Sequence, residues 1–100
     1  MDEAKKAELE SKYGDVAVVE TEFGSVAFKR LDRRQRNQYL KMISDHRVGE
    51  AADWVCLATV VEPKRETFDE WIDKRVGLPM KCIPAINKLN ALASEDEGND

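Results

Sequence analysis

A mostly helical α+β domain is the fold class this sequence predicts, and three observations predict it. Residues Glu50–Val61 (EAADWVCLATVV) are apolar nearly all round. A helix of that kind has no face to give to water, so its neighbours must wrap it and it marks the centre of a core. Two short β-branched runs, around Val16–Val19 and Ser25–Lys29, flank a glycine-containing turn in the manner of a hairpin. Most other apolar residues recur at helical spacing among charged ones. The expected architecture is a β-hairpin packed on a small helical bundle of about four helices. A chain of 100 residues builds one core, so a single domain is expected over residues 1–93, followed by an acidic tail at 94–100.

Each element has its own justification. Asp2–Lys12 reads as a weakly amphipathic helix, with Glu8 and Lys12 oriented for an i,i+4 pair and Gly14 at the C-terminal cap. Few apolar residues anchor it, so on its own it should fray. From Asp15 the period becomes extended. Val16, Val18 and Val19 form one strand and Ser25–Lys29 the other, with Glu22-Phe23-Gly24 as the turn. Val18, Val26 and Phe28 are expected on one buried face. Two strands are marginal alone, so this pair must pack on helices or borrow a third.

Asp32 opens the next helix, with Gln35 three positions on as in a capping box. Tyr39, Leu40 and Ile43 make its apolar stripe, while Arg33, Arg34 and Arg36 face elsewhere. His46-Arg47-Val48-Gly49 ends it and turns the chain into the central apolar segment. Glu62-Pro63 breaks that segment, because proline disfavours helix in the residue before it and suits the start of a new one. Phe68, Trp71, Ile72 and Arg75 then give a short amphipathic helix ending near Val76-Gly77. The last helix is Pro79–Ala93, with Ile83, Ile86 and Leu89 or Asn90 inward. Pro84 either kinks it or marks its true start. Ser94–Asp100 has nothing to bury and is expected to be disordered.

Composition narrows function. Hydrophobic residues make up 42% and charged residues 36%, with a net charge of −4 and a pI near 5.1. Bulk attraction to nucleic acid or an anionic membrane is therefore absent. No apolar run approaches the ~18 residues of a membrane helix, and the charged start MDEAKKAELESK lacks the apolar stretch of a secretory signal. Cytoplasmic residence is the default.

Side chains suited to chemistry are scarce. His46 stands at a helix end, where positive charge suits the dipole, without companions for a metal or a proton transfer. Cys56 and Cys82 are too few and too isolated for a disulfide framework or zinc site, and both fall in apolar helical patterns as core thiols. Glu66, Asp69, Glu70 and Asp73 read as a solvated helix face, with Lys74 and Arg75 completing local charge pairs. The five glycines are dispersed, no phosphate loop exists, and no nucleophile has a triad partner. No catalytic, metal or cofactor site is expected.

The strongest departure from the acidic average is the cluster Lys29, Arg30, Arg33, Arg34, Arg36 and Lys41. Such a stripe can meet phosphates, yet no recognition helix with polar base readers follows it. Arginine is enriched at protein contacts, which makes Arg33, Arg34 and Arg36 candidates for a protein interface. Trp54 and Trp71 are both at core spacing. Trp71, flanked by Glu70 and Asp73, sits at the rim and becomes a hot-spot candidate if exposed.

The order of motifs is also informative. Lys12-Tyr13-Gly14-Asp15-Val16 precedes a hairpin ending Phe28-Lys29-Arg30, then a helix opening Asp32-Arg33-Arg34. An apolar segment ending Val60-Val61-Glu62-Pro63 follows, then Phe68-Asp69-Glu70-Trp71 and a helix with Ile83, Ile86 and Leu89. Across Lys12 to Leu92 this resembles the small tail assembly chaperones of long-tailed bacteriophages and their prophage relatives. The resemblance implies a non-enzymatic role in virion morphogenesis: coating the tape measure protein, keeping it soluble and helping recruit tail-tube subunits. It implies no catalytic residues and no cofactor, a bacterial host cytoplasm, and the tape measure and tail-tube proteins as partners. Separately, an open hairpin edge would let copies associate as a homo-oligomer, or accept a client strand. The alternative is a small nucleic-acid-binding regulator using the Arg33–Lys41 helix, and a third reading is a host-directed interaction protein of a mobile element.

Overall fold

The computed structural model describes residues 1–92, so the acidic stretch 94–100 lies outside the described residues. The order of elements is α1 (Glu3–Tyr13), β1 (Val16–Thr21), β2 (Gly24–Lys29), α2 (Arg33–Ser44), α3 (Val48–Thr59), β3 (Val60–Glu62), α4 (Arg65–Lys74) and α5 (Leu78–Leu89). The α+β, mostly helical class is as expected. A third strand is the addition: the antiparallel sheet runs β1-β2-β3, with β2 in the middle.

The main core lies on one face of this sheet. Val26 and Phe28 of β2 pack with Val55 and Cys56 of α3, Phe68 and Ile72 of α4, Leu78, Cys82 and Ile86 of α5, and Tyr39 and Met42 of α2. Phe28 meets Phe68 edge-to-face at 5.8 Å between centroids, a favoured arrangement for aromatic pairs. The other face carries a smaller cluster, in which Val16, Ala27 and half-buried Val18 lie against Leu9 of α1. Helix α1 is capped by Asp2, which accepts from the Lys5 N–H at 2.7 Å, and by Gly14 at φ 83°. That positive φ suits a residue without Cβ. The Glu8–Lys12 pair does not form among the described residues; Lys5 reaches both Glu8 and Glu62, at 3.9 and 3.8 Å.

Val18 therefore belongs to the opposite face from Val26 and Phe28, against expectation. The turn is two residues, Glu22-Phe23, and Gly24 pairs with Thr21 inside the ladder. A three-residue turn would shift the register by one, and a one-residue shift exchanges faces. In the observed register Val19 pairs with Val26 and Val18 with Ala27.

The central helix also ends sooner than expected. It stops at Thr59, and Val60–Glu62 leaves as a strand along β2, with Val60 on the main core and Val61 on the α1 side. Trp54 is half-buried against the core rather than enclosed in it. Helix α5 begins at Leu78, so Pro84 is not its start but lies within it, with its ring on the exposed side. Cys56 and Cys82 are free, buried thiols. Hydrogen bonding to Cys82 and burial both push the Cys56 thiol far above its ordinary range, so it is a neutral core group.

Candidate functional site

Helix α2 carries the site that the arginines suggested, and local chemistry explains its stability. The Asp32 carboxylate accepts from the Gln35 N–H at 2.8 Å, and Gln35 Oε1 accepts from the Asp32 N–H at 3.0 Å. This reciprocal box satisfies two donors at the helix start. Two asparagines of the α5 end then fix α2 against the bundle. Leu31 N–H donates to Asn90 Oδ1 at 2.8 Å, and the Tyr39 hydroxyl donates to Asn87 Oδ1 at 3.1 Å. Burial raises the Tyr39 hydroxyl above its ordinary value of 10.0.

With Tyr39 and Met42 turned inward, the rest of α2 is presented to solvent. Arg33, Arg34, Asn37, Gln38 and Lys41 line a shallow surface depression of about 530 Å³. Arg33 and Arg34 form no ion pair among the described residues. Arg36 donates from Nε and Nη2 to Asn37 Oδ1, at 3.2 and 3.0 Å. Lys41 reaches Asp45 at 3.2 Å. The helix contains four cations and no carboxylate, in a chain of net charge −4.

Leu40 and Ile43 were expected in the buried stripe of α2 and are instead exposed, at 43% and 38%. The inward phase of the helix is set by Tyr39 and Met42, with Gln35 half-buried one turn earlier. That phase leaves Leu40 and Ile43 outside, beside Arg36 and Arg33 by helical spacing. Val48, at the start of α3, is also exposed. Asn37 and Gln38, interleaved with the cations, were not singled out by sequence reasoning. Their i+4 spacing from Arg33 and Arg34 was the available signal.

Trp71 is not part of this face. It projects from α4 onto the hairpin turn, stacking on Phe23 at 5.4 Å and 22° and meeting Phe68 edge-on at 6.4 Å. Gly24 lies beneath it: a Cβ there would sit 3.6 Å from the Trp71 ring, on a backbone with φ of 136°. The adjacent Arg75 donates to Glu22 at 3.1 Å. These contacts tie α4 to the hairpin, so the indole is spent on internal packing more than on display. The carboxylates Glu66, Asp69, Glu70 and Asp73 are all exposed, and Arg75 pairs with the hairpin instead of with them.

His46 occupies a left-handed position at φ 63° in the α2–α3 turn and is exposed. Beside it Arg47 grips Glu50 through two bonds, at 2.8 and 3.3 Å, which holds the Glu50 carboxyl below its ordinary range. Among the described residues no group of three histidines, cysteines or carboxylates is placed to hold a metal ion, and no helix is long and apolar enough to cross a membrane. In comparisons with known proteins, no family model, no curated protein and no solved structure matches this chain.

Proposed function

We propose that this chain is a non-enzymatic binding protein of the phage tail assembly chaperone type. In this reading it holds a tape measure protein in the bacterial host cytoplasm and presents it to tail-tube subunits. The observation that carries the reading is the outward surface of α2, where Arg33 and Arg36 share a stripe with exposed Leu40 and Ile43 and Arg34 extends the cationic surface round the helix. Cations and aliphatic side chains on one rigid helix complement an amphipathic client helix with acidic flanks, and arginine is enriched at such contacts. The motif order from Lys12 to Leu92 supports the choice of client. The test is co-expression with a tape measure protein. Soluble co-purification is expected, and both Arg33→Glu/Arg34→Glu/Arg36→Glu and Leu40→Asp/Ile43→Asp should abolish it while the variants remain folded. A client equally soluble without the chain removes the chaperone reading. Capture by the charge-reversed variant removes the α2 surface.

A second reading is favoured by one specific observation. Asn37 and Gln38 lie among Arg33, Arg34 and Lys41 on the same depression, and amide side chains are the usual adenine readers. A small nucleic-acid-binding regulator would show affinity that falls steeply with salt, at a slope of roughly −0.9 per phosphate neutralised on duplex DNA. Absence of binding at low salt eliminates it.

A further inference from the structure

The outer edge of β1 lies at the floor of a groove of about 520 Å³ between α1 and α5. Val16, Ala17 and Val18 form the floor, Lys6 and Glu10 one wall, and Ala85, Lys88 and Leu89 the other. Thr21 pairs with Gly24 across a two-residue turn, so Thr21, Val19 and Ala17 exchange their backbone bonds with β2. The same alternation turns the N–H and C=O groups of Val16, Val18 and Glu20 away from β2. No backbone partner among the described residues takes them up. Val16 is nonetheless buried and Val18 half-buried. Backbone groups directed into a lined groove are a strand-docking template, since a neighbouring strand sits about 4.8 Å away and supplies the missing partners.

We propose that this groove binds an extended segment of a partner protein as a fourth strand, and that the segment is apolar or small at its centre and acidic at its flanks. The proposal rests on the protein-binding reading above and adds a second contact, separate from α2. Charge chooses the occupant. Lys6 and Lys88 stand on opposite walls and form no ion pair among the described residues; Arg30 is already engaged by Asp15, and Glu10, one turn from Lys6, is the one carboxylate set against these two lysines, so the groove keeps a cationic excess. Ala85 and Leu89 offer an apolar surface for the central side chains. A second copy of this chain fits poorly, because its own β1 is recessed between the same two helices and would bring Lys6 and Lys88 toward their counterparts. From Val16 to Glu20 the edge spans about 13 Å, the length of roughly five residues of a docked strand.

The test uses the full chain and two fluorescein-labelled peptides of alternating valine and threonine, one ending in aspartates and the other in lysines. The aspartate peptide is expected to bind at least tenfold tighter. At saturation it should slow hydrogen exchange at the Val18 and Glu20 amides at least tenfold, as read by NMR. Lys6→Glu/Lys88→Glu should reverse the peptide preference, with circular dichroism and thermal unfolding unchanged. Val18→Pro, which removes an outward N–H and no ladder bond, should abolish binding. Arg33→Glu/Arg34→Glu/Arg36→Glu should leave peptide binding intact, so failure of the α2 reading and failure of this one are separable. The proposal is overturned by equal affinity for both peptides or by unchanged exchange at Val18. It is also overturned if protection in the peptide-free chain rises with protein concentration, which assigns the edge to a second copy. Protection there at every concentration would assign it to the chain's own acidic residues 94–100.

Discussion

Helices α2 and α3 are neighbours of equal length, 12 residues each, and they solve the problem of stability in opposite ways. Helix α3 has no side-chain cap at its start and buries Ala51, Ala52, Val55, Cys56 and Thr59. Its environment holds it. Helix α2 buries two side chains, Tyr39 and Met42, and is supported by the Asp32–Gln35 box and the asparagines of α5. Locally secured ends free most of its surface. The pair shows why the proposed interaction surface falls on α2: a helix that owes little to burial can display arginines and aliphatics together, and α3 cannot.

The sharpest way to break this contrast is to place the same charge on both helices. Val55→Asp puts a carboxylate at a position of 0% exposure and should cost more than ~4 kcal/mol, because an unpaired buried charge is among the most destabilising changes. Leu40→Asp on α2 should stay within ~0.5 kcal/mol, the usual range for surface sites. Urea unfolding of the two variants decides it, and similar losses would mean that α2 is buried after all. Trp54→Ala probes the boundary. A fully enclosed ring would cost ~3–5 kcal/mol, and half-buried Trp54 should cost about half as much. Asp32→Ala should lose about 1 kcal/mol through the cap. An unchanged midpoint in urea would show that packing, and not the capping box, secures α2.

The smallest effect concerns the one buried hydroxyl of α2. Burial raises the folded Tyr39 hydroxyl above 10.0, so the unfolded chain ionises first as pH rises. Its contribution is complete below pH 10 and is lost as pH climbs through the folded value, because unfolding then releases a proton. Thermal unfolding of Tyr39→Phe should show a shallower alkaline decline than the parent chain. Identical slopes would place the hydroxyl in solvent.

Much of this division was legible in advance. The Asp32–Gln35 spacing, the Gly14 cap and the helical recurrence of Phe68, Trp71 and Ile72 each act within one or two turns, so local spacing reveals them. The exposed arginines follow from composition alone. Three features lay beyond such reasoning. Leu40 and Ile43 versus Tyr39 and Met42 is a choice of helix phase, and only the surface offered by α3 and α5 makes it. Val60–Glu62 reads as helix in an unbroken apolar run because a buried helix and a buried strand share that pattern. The unpaired edge of β2 decides in favour of the strand. Trp71 was legible as a rim residue, but its partner Phe23 is 48 positions earlier in the chain, and no local period connects them.

Local chemistry, written in the residues, was enough for the fold class, most helix limits, the presence of the hairpin and the acidic chain's most cationic helix. Contacts between distant segments decided the rest. A two-residue turn set the register that sends Val18 to α1 and Val26 to the main core, and long-range pairing turned the end of the central helix into β3. The packing of α1 and α5 on either side of β1 made a groove of its outer edge. Periodicity is local, whereas register, phase and enclosure are set by which surfaces meet, and that information exists only once the chain has folded.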